Sequence, residues 1–133
     1  MIVLDTHTLL WMDRDDPALG PLARRLIEEA WRVGQVAVSA ISFWETAMLA
    51  LRERIVLPVS ATEWRSEWLQ AGIREIVLDG RTAIIATQLE NIHRDPADRF
   101  IVATSLQLGA TLVTADERIL AWGTELPRQD ARL

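Results

Sequence analysis

Four acidic residues in the sequence each border a short apolar run. Asp5 follows Ile-Val-Leu, Glu45 lies in Phe-Trp-Glu-Thr-Ala-Met, Asp98 directly precedes Arg-Phe-Ile-Val-Ala, and Asp116 comes two residues after Ala-Thr-Leu-Val-Thr. Carboxylates that the fold brings together repel one another and take up protons unless a cation lies between them. All-oxygen ligation suits Mg²⁺ or Mn²⁺. Such a site can activate a water molecule and hold a phosphodiester, which is the chemistry we expect here.

Helix capping is a simpler explanation for each acid taken alone. Residues 42–45, 95–98 and 114–117 each place Ser, Asp or Thr three positions before an acid, the spacing of a capping box, and Pro96 suits a first helical position. Acids in a first helical turn also complement the helix dipole. Capping does not explain why an acid recurs at every major junction, so the joint pattern favours a metal site.

The composition excludes several other kinds of site. The chain of 133 residues has no cysteine, and all 14 of its basic residues are arginine. Disulfides, thiolate metal sites, phosphate-binding loops and Schiff bases are therefore excluded. The net charge of −5 argues against nucleic-acid binding by bulk charge, but it permits a binder whose acids are neutralised by cations.

The length and hydropathy of the chain indicate one soluble domain over residues 1–133. No apolar run approaches the roughly 18 residues that a membrane span needs. The apolar start has no basic flank and meets Asp5 at once, so we expect no secretion signal, no membrane association and a cytoplasmic location.

Alternating helix and strand patterns predict how the acids meet. Apolar runs predict strands at 2–4, 36–39, 73–78 and 110–114, and helical spacing predicts helices near 22–31, 41–52, 60–72, 80–90, from 96 onward and at 115–123. Such alternation implies a mostly parallel sheet with helices on both faces. Sites in such sheets form at the carboxyl ends of the strands, where the four acids lie.

Three stretches of the sequence resemble a known family. They are MIVLDTHTLLW, VAVSAISFWETAMLALRERI and HRDPADRFIVATSLQLGATLVTADERIL, and their order and spacing resemble PIN-domain ribonucleases, in particular the VapC-type toxins of VapBC toxin–antitoxin pairs. The resemblance implies an α/β chain with a PIN-like three-layer α/β/α fold and a mostly parallel central sheet of four to five strands. It also implies an Mg²⁺- or Mn²⁺-dependent endoribonuclease whose catalytic and metal-binding acids are Asp5, Glu45, Asp98 and Asp116.

The same resemblance divides the roles of the neighbouring residues. Asp98 matches the metal position, and Asp95 is then the helix cap, able to reach the site through water. The hydroxyls of Thr6, Ser42 and Thr114 stand beside the acids and can orient them. Capping is an equally good role for these three hydroxyls.

Basic residues near the motifs have two interpretations each. Arg99 is a candidate for binding substrate phosphate, or else the salt-bridge partner of Asp98. Other candidates for substrate contact are scattered along the sequence, namely Arg14, Arg52 and Arg54. His7 and His93 are expected to be structural or exposed, because a metal that lowers the pKa of water removes the need for a histidine base.

The sequence contains six tryptophans, a large number for a chain of this length. Core packing is the expectation for Trp64 and Trp68, ahead of an interface, whereas Trp11 and Trp44 lie near the predicted active edge. The resemblance implies RNA as the substrate, a cognate antitoxin whose C-terminal segment lies in a groove, and a homodimer that can join a larger toxin–antitoxin complex.

Three alternatives stay open at this point. The chain is an inactive PIN-fold interaction module, or a nuclease of the same fold that processes RNA or cuts DNA without being a toxin, or a phosphotransfer domain with Asp5 as nucleophile. The presence of all four acids disfavours the first alternative, and the absence of lysine disfavours the third.

Overall fold

A computed structural model describes residues 1–92, 94–123 and 125–133. Its centre is a five-stranded parallel sheet with strand order β3-β2-β1-β4-β5. The strands are β1 (Ile2–Leu4), β2 (Val36–Ser39), β3 (Arg74–Ile76), β4 (Thr111–Thr114) and β5 (Arg128–Asp130).

Seven helices surround this sheet in the described ranges. They are α1 (Thr6–Asp13), α2 (Pro21–Arg32), α3 (Ala40–Leu51), α4 (Ala61–Gln70), α5 (Gly80–Thr87), α6 (Pro96–Leu108) and α7 (Glu117–Leu120). The predicted α/β alternation is confirmed. None of the described helices is long and apolar enough to cross a membrane.

The central strands are buried on both faces, as their continuous apolar runs predict. Along β1, Ile2 and Leu4 belong to one core cluster and Val3 to the other. The first cluster packs α1, α2 and α4 against the sheet, and the second packs α6 and α7 against the opposite face. The three-layer arrangement therefore follows from the alternation of side chains along each strand.

The fifth strand has no counterpart among the four strand segments predicted from apolar runs. Its sequence is Arg-Gln-Asp, and all three residues are only partly buried at the edge of the sheet. An edge strand needs no apolar run, so hydrophobic periodicity does not detect it.

Trp64 lies in the core, as expected, with 1% of its surface exposed. Trp68 is half-buried and packs against the same cluster, with its ring centroid 6.2 Å from that of Trp64 and 5.8 Å from that of Trp31. The helical spacing of Trp64 and Trp68 thus reflects packing beneath α4.

The last residues of the sequence cap α2. Gly20 N–H donates to the Ala131 carbonyl at 2.8 Å, and Leu22 N–H donates to the Leu133 carbonyl at 2.7 Å. An added Cβ on Gly20 would lie 2.2 Å from the Leu133 carbonyl carbon. Only a residue without a side chain fits this close approach of two backbones.

Candidate active site

Asp5 is held from two sides at the end of β1. It is the N-cap of α1, and its Oδ1 accepts a hydrogen bond from the Thr8 N–H at 2.8 Å. Its Oδ2 accepts a hydrogen bond from the hydroxyl of Thr114, the last residue of β4. Burial raises the pKa of Asp5, and the hydrogen bonds from Thr114 and Thr8 act in the opposite direction. The two hydrogen bonds therefore fix the orientation of the carboxylate but do not fully compensate for the burial of its charge.

Glu45 projects from α3 toward the residue after Asp5. The Thr6 hydroxyl donates to Glu45 Oε1 at 2.5 Å and is also hydrogen-bonded to Ser42 Oγ at 3.0 Å. Burial raises the pKa of Glu45 most, and the charges of Asp95 and Asp5 raise it further. Thr6, the residue that follows Asp5, thus connects the end of β1 to Glu45 on α3.

Ser42 is not a helix cap. The helix begins earlier, at Ala40, because the side chain of Ser39 accepts a hydrogen bond from the Ile41 N–H at 3.2 Å. Ser42 is fully buried inside the first turns of α3. The capping-box interpretation of residues 42–45 is therefore wrong, and the Ser42 hydroxyl contacts Thr6 instead.

Asp98 lies within electrostatic reach of the other acids, and we call the region that they share the acidic pocket. It lies in the first turn of α6 and is half-buried. Burial, followed by the charges of four other acids, raises the pKa of Asp98 to about 8. In decreasing order of effect these acids are Asp95, Glu45, Asp116 and Asp5.

Asp95 caps α6, as predicted. Its Oδ1 accepts a hydrogen bond from the Ala97 N–H at 3.0 Å, and Pro96 occupies the first helical position. Because Asp95 also raises the pKa of Glu45 and Asp98, it is both a cap and a neighbour of the acidic pocket.

Asp116 is itself the N-cap of α7. It accepts hydrogen bonds from the Arg118 N–H at 2.9 Å and from the Ile119 N–H at 3.1 Å. The predicted capping box at 114–117 is therefore wrong, because Thr114 still belongs to β4. Thr114 Oγ1 accepts from the Asp116 N–H at 3.0 Å and donates to Asp5. A single hydroxyl thus bridges the first and fourth acids.

The fold therefore brings Asp5, Glu45, Asp98 and Asp116 to one region at the carboxyl ends of β1, β2 and β4 and at the start of α6. In this conformation, no three Asp, Glu or His side chains of the described ranges form a group that would hold one ion. In proteins, Mg²⁺ typically keeps several waters and binds only one or two carboxylates directly. The donor set, carboxylates and hydroxyls only, fits a hard divalent cation.

The basic residues are more dispersed than the acids. Arg99 Nη1 donates to the carbonyl oxygens of Ala86 at 2.8 Å and Leu89 at 3.0 Å, so this nitrogen joins α6 to the end of α5. His7 is exposed, as expected, yet its charge lowers the pKa of Asp5 and Glu45. His93 lies outside the described residues.

Thr8 is the site residue that the sequence reasoning missed. Its N–H holds Asp5, and its hydroxyl donates to the Val113 carbonyl at 3.0 Å, which ties α1 to β4. The position of Thr8 could have predicted this contact, because the backbone N–H three residues after an N-cap is a usual partner of the cap side chain.

Comparison with known proteins agrees with this architecture. Residues 2–122 match the model of the PIN domain family. The chain is 35% identical to ribonuclease VapC22 of Mycobacterium tuberculosis over 119 residues, which cover 89% of this chain and 88% of that protein.

Solved structures show the same fold. One chain of VapBC2 from Rickettsia felis bound to a promoter DNA fragment superposes with a TM-score of 0.71 at 14% identity, covering 97% of this chain and 98% of that chain. One chain of a toxin–antitoxin complex from Klebsiella pneumoniae superposes with a TM-score of 0.64 at 19% identity, covering 92% and 93%. From its fold, its acidic site and its matched residues, the chain belongs to the PIN domain family.

Proposed function

We propose that this protein is a metal-dependent endoribonuclease and the toxin of a toxin–antitoxin pair. The observation that carries the proposal is the acidic pocket, in which four other carboxylates contribute to raising the pKa of Asp98. Such a concentration of negative charge at the carboxyl edge of a parallel sheet is suited to a divalent cation. The name of the M. tuberculosis relative supports RNA as the substrate.

Asp5 and Asp98 are the proposed metal ligands. Asp5 is preorganised by its two hydrogen bonds, from Thr8 and Thr114. Burial and the neighbouring acids raise the pKa of Asp98 to about 8, and a neighbouring cation would lower it again. A bound Mg²⁺ or Mn²⁺ would lower the pKa of water and stabilise negative charge on the phosphate.

Glu45 and Asp116 complete the pocket in this proposal. The Thr6 hydroxyl fixes the orientation of Glu45, and the role we propose for this carboxylate is to orient the attacking water and to accept its proton. Asp116 uses one oxygen to cap α7, and Thr114 ties its backbone to Asp5. Ser42 supports Thr6 from beneath. Asp95 acts mainly as the cap of α6.

The alternative role of Asp5 as a phosphotransfer nucleophile lacks its usual charge partner. The sequence contains no lysine to stabilise an aspartyl phosphate, whereas ligation of a cation by Asp5 needs none. The two hydrogen bonds that Asp5 accepts leave lone pairs for either role, so the composition and not the geometry disfavours phosphotransfer.

Partners are proposed by analogy with the solved structures. The Klebsiella structure is of a toxin–antitoxin complex, and the Rickettsia structure is of VapBC2 bound to a DNA fragment from its promoter. We propose that residues 1–133 form one domain that pairs with a cognate antitoxin in the cytoplasm and self-associates as a homodimer.

Cleavage of total cellular RNA by protein purified without a partner tests the proposed function. The wild type should produce discrete fragments with Mg²⁺ or Mn²⁺ and none with EDTA, and Asp5→Asn should be inactive although folded. Cleavage that persists in EDTA would refute metal dependence. A folded, Mn²⁺-binding wild type that leaves RNA intact would refute the ribonuclease and favour an interaction module.

A further inference from the structure

A cavity of about 290 Å³ opens beside the acidic pocket, between α3 and the start of α6. Two of its lining residues, Glu45 and Asp95, belong to the acidic region described above. The other side chains are mostly apolar, with one arginine at the edge; they include Trp44, Met48, Leu49 and Arg52. We refer to this space as the α3–α6 cavity.

Trp44 is the unusual residue of this cavity. It stands directly before Glu45 in the sequence, and 57% of its surface is exposed. Its neighbour Phe43 packs against the core and stacks edge-on with Trp64, so α3 has an aromatic residue for packing without Trp44. No ring partner for Trp44 is found among the described residues. An exposed indole in the same cavity as a predicted catalytic acid is available for contact with a substrate.

The chemistry of the walls favours a nucleobase over an anionic group. Glu45 and Asp95 would repel an acidic ligand, but carboxylates accept hydrogen bonds from the amino groups of bases. The faces of bases stack on aromatic side chains, and the apolar Met48 and Leu49 would cover the rest of the ring. At about 290 Å³ the cavity is at the lower limit of the ~300–1,000 Å³ typical of drug-sized ligands, so it suits one ring system.

The position of the cavity limits which base can enter it. Because Glu45 lines the cavity and its charge also acts on Asp98, a ligand in the cavity would lie beside the phosphate that the proposed site cleaves. Arg52, the C-cap of α3 and one helical turn beyond Met48, would supply a positive charge for the neighbouring phosphate of the RNA. A base next to the cleavage site satisfies both conditions.

We propose that the α3–α6 cavity binds one unpaired base of the RNA adjacent to the cleaved phosphodiester, with Trp44 stacked on the base and Arg52 on the flanking phosphate. This inference rests on the proposed ribonuclease function. It makes Trp44 a positioning residue that selects single-stranded RNA, since a paired base cannot leave its stack without cost.

Binding of a short single-stranded RNA and of the same RNA carrying one abasic site at each position in turn tests the inference. The proteins are the wild type, Trp44→Ala, Trp44→Phe and, as control, Leu51→Ala, which removes an apolar side chain 78% exposed on the same helix but outside the cavity. Affinity is measured with Ca²⁺, once it is shown to support no cleavage, and KM and kcat are measured with Mn²⁺.

We expect Trp44→Ala to weaken affinity roughly 5- to 150-fold, the factor that corresponds to the loss of one stacked base. The loss should appear in KM more than in kcat, Trp44→Phe should recover most of it, and Leu51→Ala should match the wild type. One abasic position should weaken binding to the wild type but have no effect on Trp44→Ala.

Three results would overturn the inference. The first is a Trp44→Ala protein with wild-type affinity and KM, and the second is a loss of affinity that couples to no abasic position. The third is unchanged RNA affinity with a changed oligomeric state by light scattering, which would assign the cavity to a second copy of the chain. The proposed function fails separately, when the wild type itself neither binds nor cleaves RNA.

Discussion

The Thr6 hydroxyl donates a hydrogen bond of 2.5 Å to Glu45, so the residue that follows the first acid orients the second. The two acids come from different elements, because Asp5 ends β1 and Glu45 lies in α3. Thr114 makes the equivalent connection between Asp5 and the N–H of Asp116. Two threonines therefore tie three carboxylate residues into one unit.

Removing the Thr6 hydroxyl should impair catalysis without unfolding the protein. Thr6→Val keeps the shape of the side chain but leaves Glu45 without its donor, and we expect kcat to fall about 10- to 100-fold, as for other residues that orient metal-site ligands. Thr6→Ser keeps the donor and should retain most activity. An equal fall in kcat for RNA cleavage in both variants would show that Thr6 acts through its packing and not through its hydrogen bond.

The pKa of Asp98 predicts an unusual pH dependence of stability in the metal-free protein. The folded state holds a proton on Asp98 up to about pH 8, whereas an unfolded aspartate releases it near pH 4. The resulting stabilisation is complete below about pH 4 and is lost as the pH rises toward 8. The asparagine of Asp98→Asn cannot ionise. The difference in free energy of unfolding between this variant and the wild type should therefore shift in favour of the variant as the pH rises across this range, which urea unfolding in EDTA measures.

Glu75 is a matched control with the opposite sign. Its carboxylate accepts two hydrogen bonds of 2.7 Å from Arg65, which lower its pKa. Its contribution is therefore present above the unfolded pKa and is lost as the pH falls through the lower folded value. Glu75→Gln should be less stable than the wild type at neutral pH and equal to it in acid. The Asp98 account fails if, relative to the wild type, the free energies of unfolding of both variants change in the same direction as the pH rises.

Divalent metal should stabilise the fold through the same acids. A ligand that binds only the native state at 100 times its dissociation constant adds about 2.7 kcal/mol to the free energy of unfolding. Mn²⁺ should raise the unfolding temperature of the wild type and of Asp95→Asn, and raise it much less in Asp5→Asn and Asp98→Asn. Thermal unfolding at matched ionic strength, with Ca²⁺ and EDTA as references, measures this difference.

Gly20 offers a test of the fold remote from the active site. An added Cβ would collide with the backbone of Arg132 and Leu133, so Gly20→Ala should destabilise the protein by about 1–3 kcal/mol, as overpacking does. Gly80 opens α5 and has no atom within 4 Å of an added Cβ. Gly80→Ala should be neutral or slightly stabilising, and a similar loss in both variants by urea unfolding would contradict this explanation.

The strands that position the acids could be predicted because their burial on both faces requires continuous apolar runs. The roles of the hydroxyls could not be predicted in the same way. Ser42 and Thr114 satisfy capping-box spacing as well as Ser60 does, yet only Ser60 caps its helix, by accepting from the Glu63 N–H. Spacing records distance along the chain, whereas a contact such as Thr6 with Ser42 depends on how β1 and α3 pack.

The contacts of long side chains could not be predicted from the sequence either. Arg99 stands beside Asp98, which favours a role in the site, but its Nη1 reaches the carbonyl oxygens of Ala86 and Leu89. Arg52 stands seven residues, or about two helical turns, after Glu45 and lines a cavity with Glu45 and with Asp95, which is distant in sequence. Because an arginine side chain spans several ångströms, its neighbours in sequence do not determine its partners in space.

Cleavage by Asp98→Asn and Asp95→Asn, compared with the wild type in Mn²⁺ and in EDTA, tests the central claim most directly. Asparagine caps helices as well as aspartate does, so Asp95→Asn preserves the start of α6 while removing the charge. We predict metal-dependent RNA fragments from the wild type and from Asp95→Asn, and none from a folded Asp98→Asn. Activity retained by Asp98→Asn and lost by Asp95→Asn would contradict the assignment of Asp98 as the metal ligand.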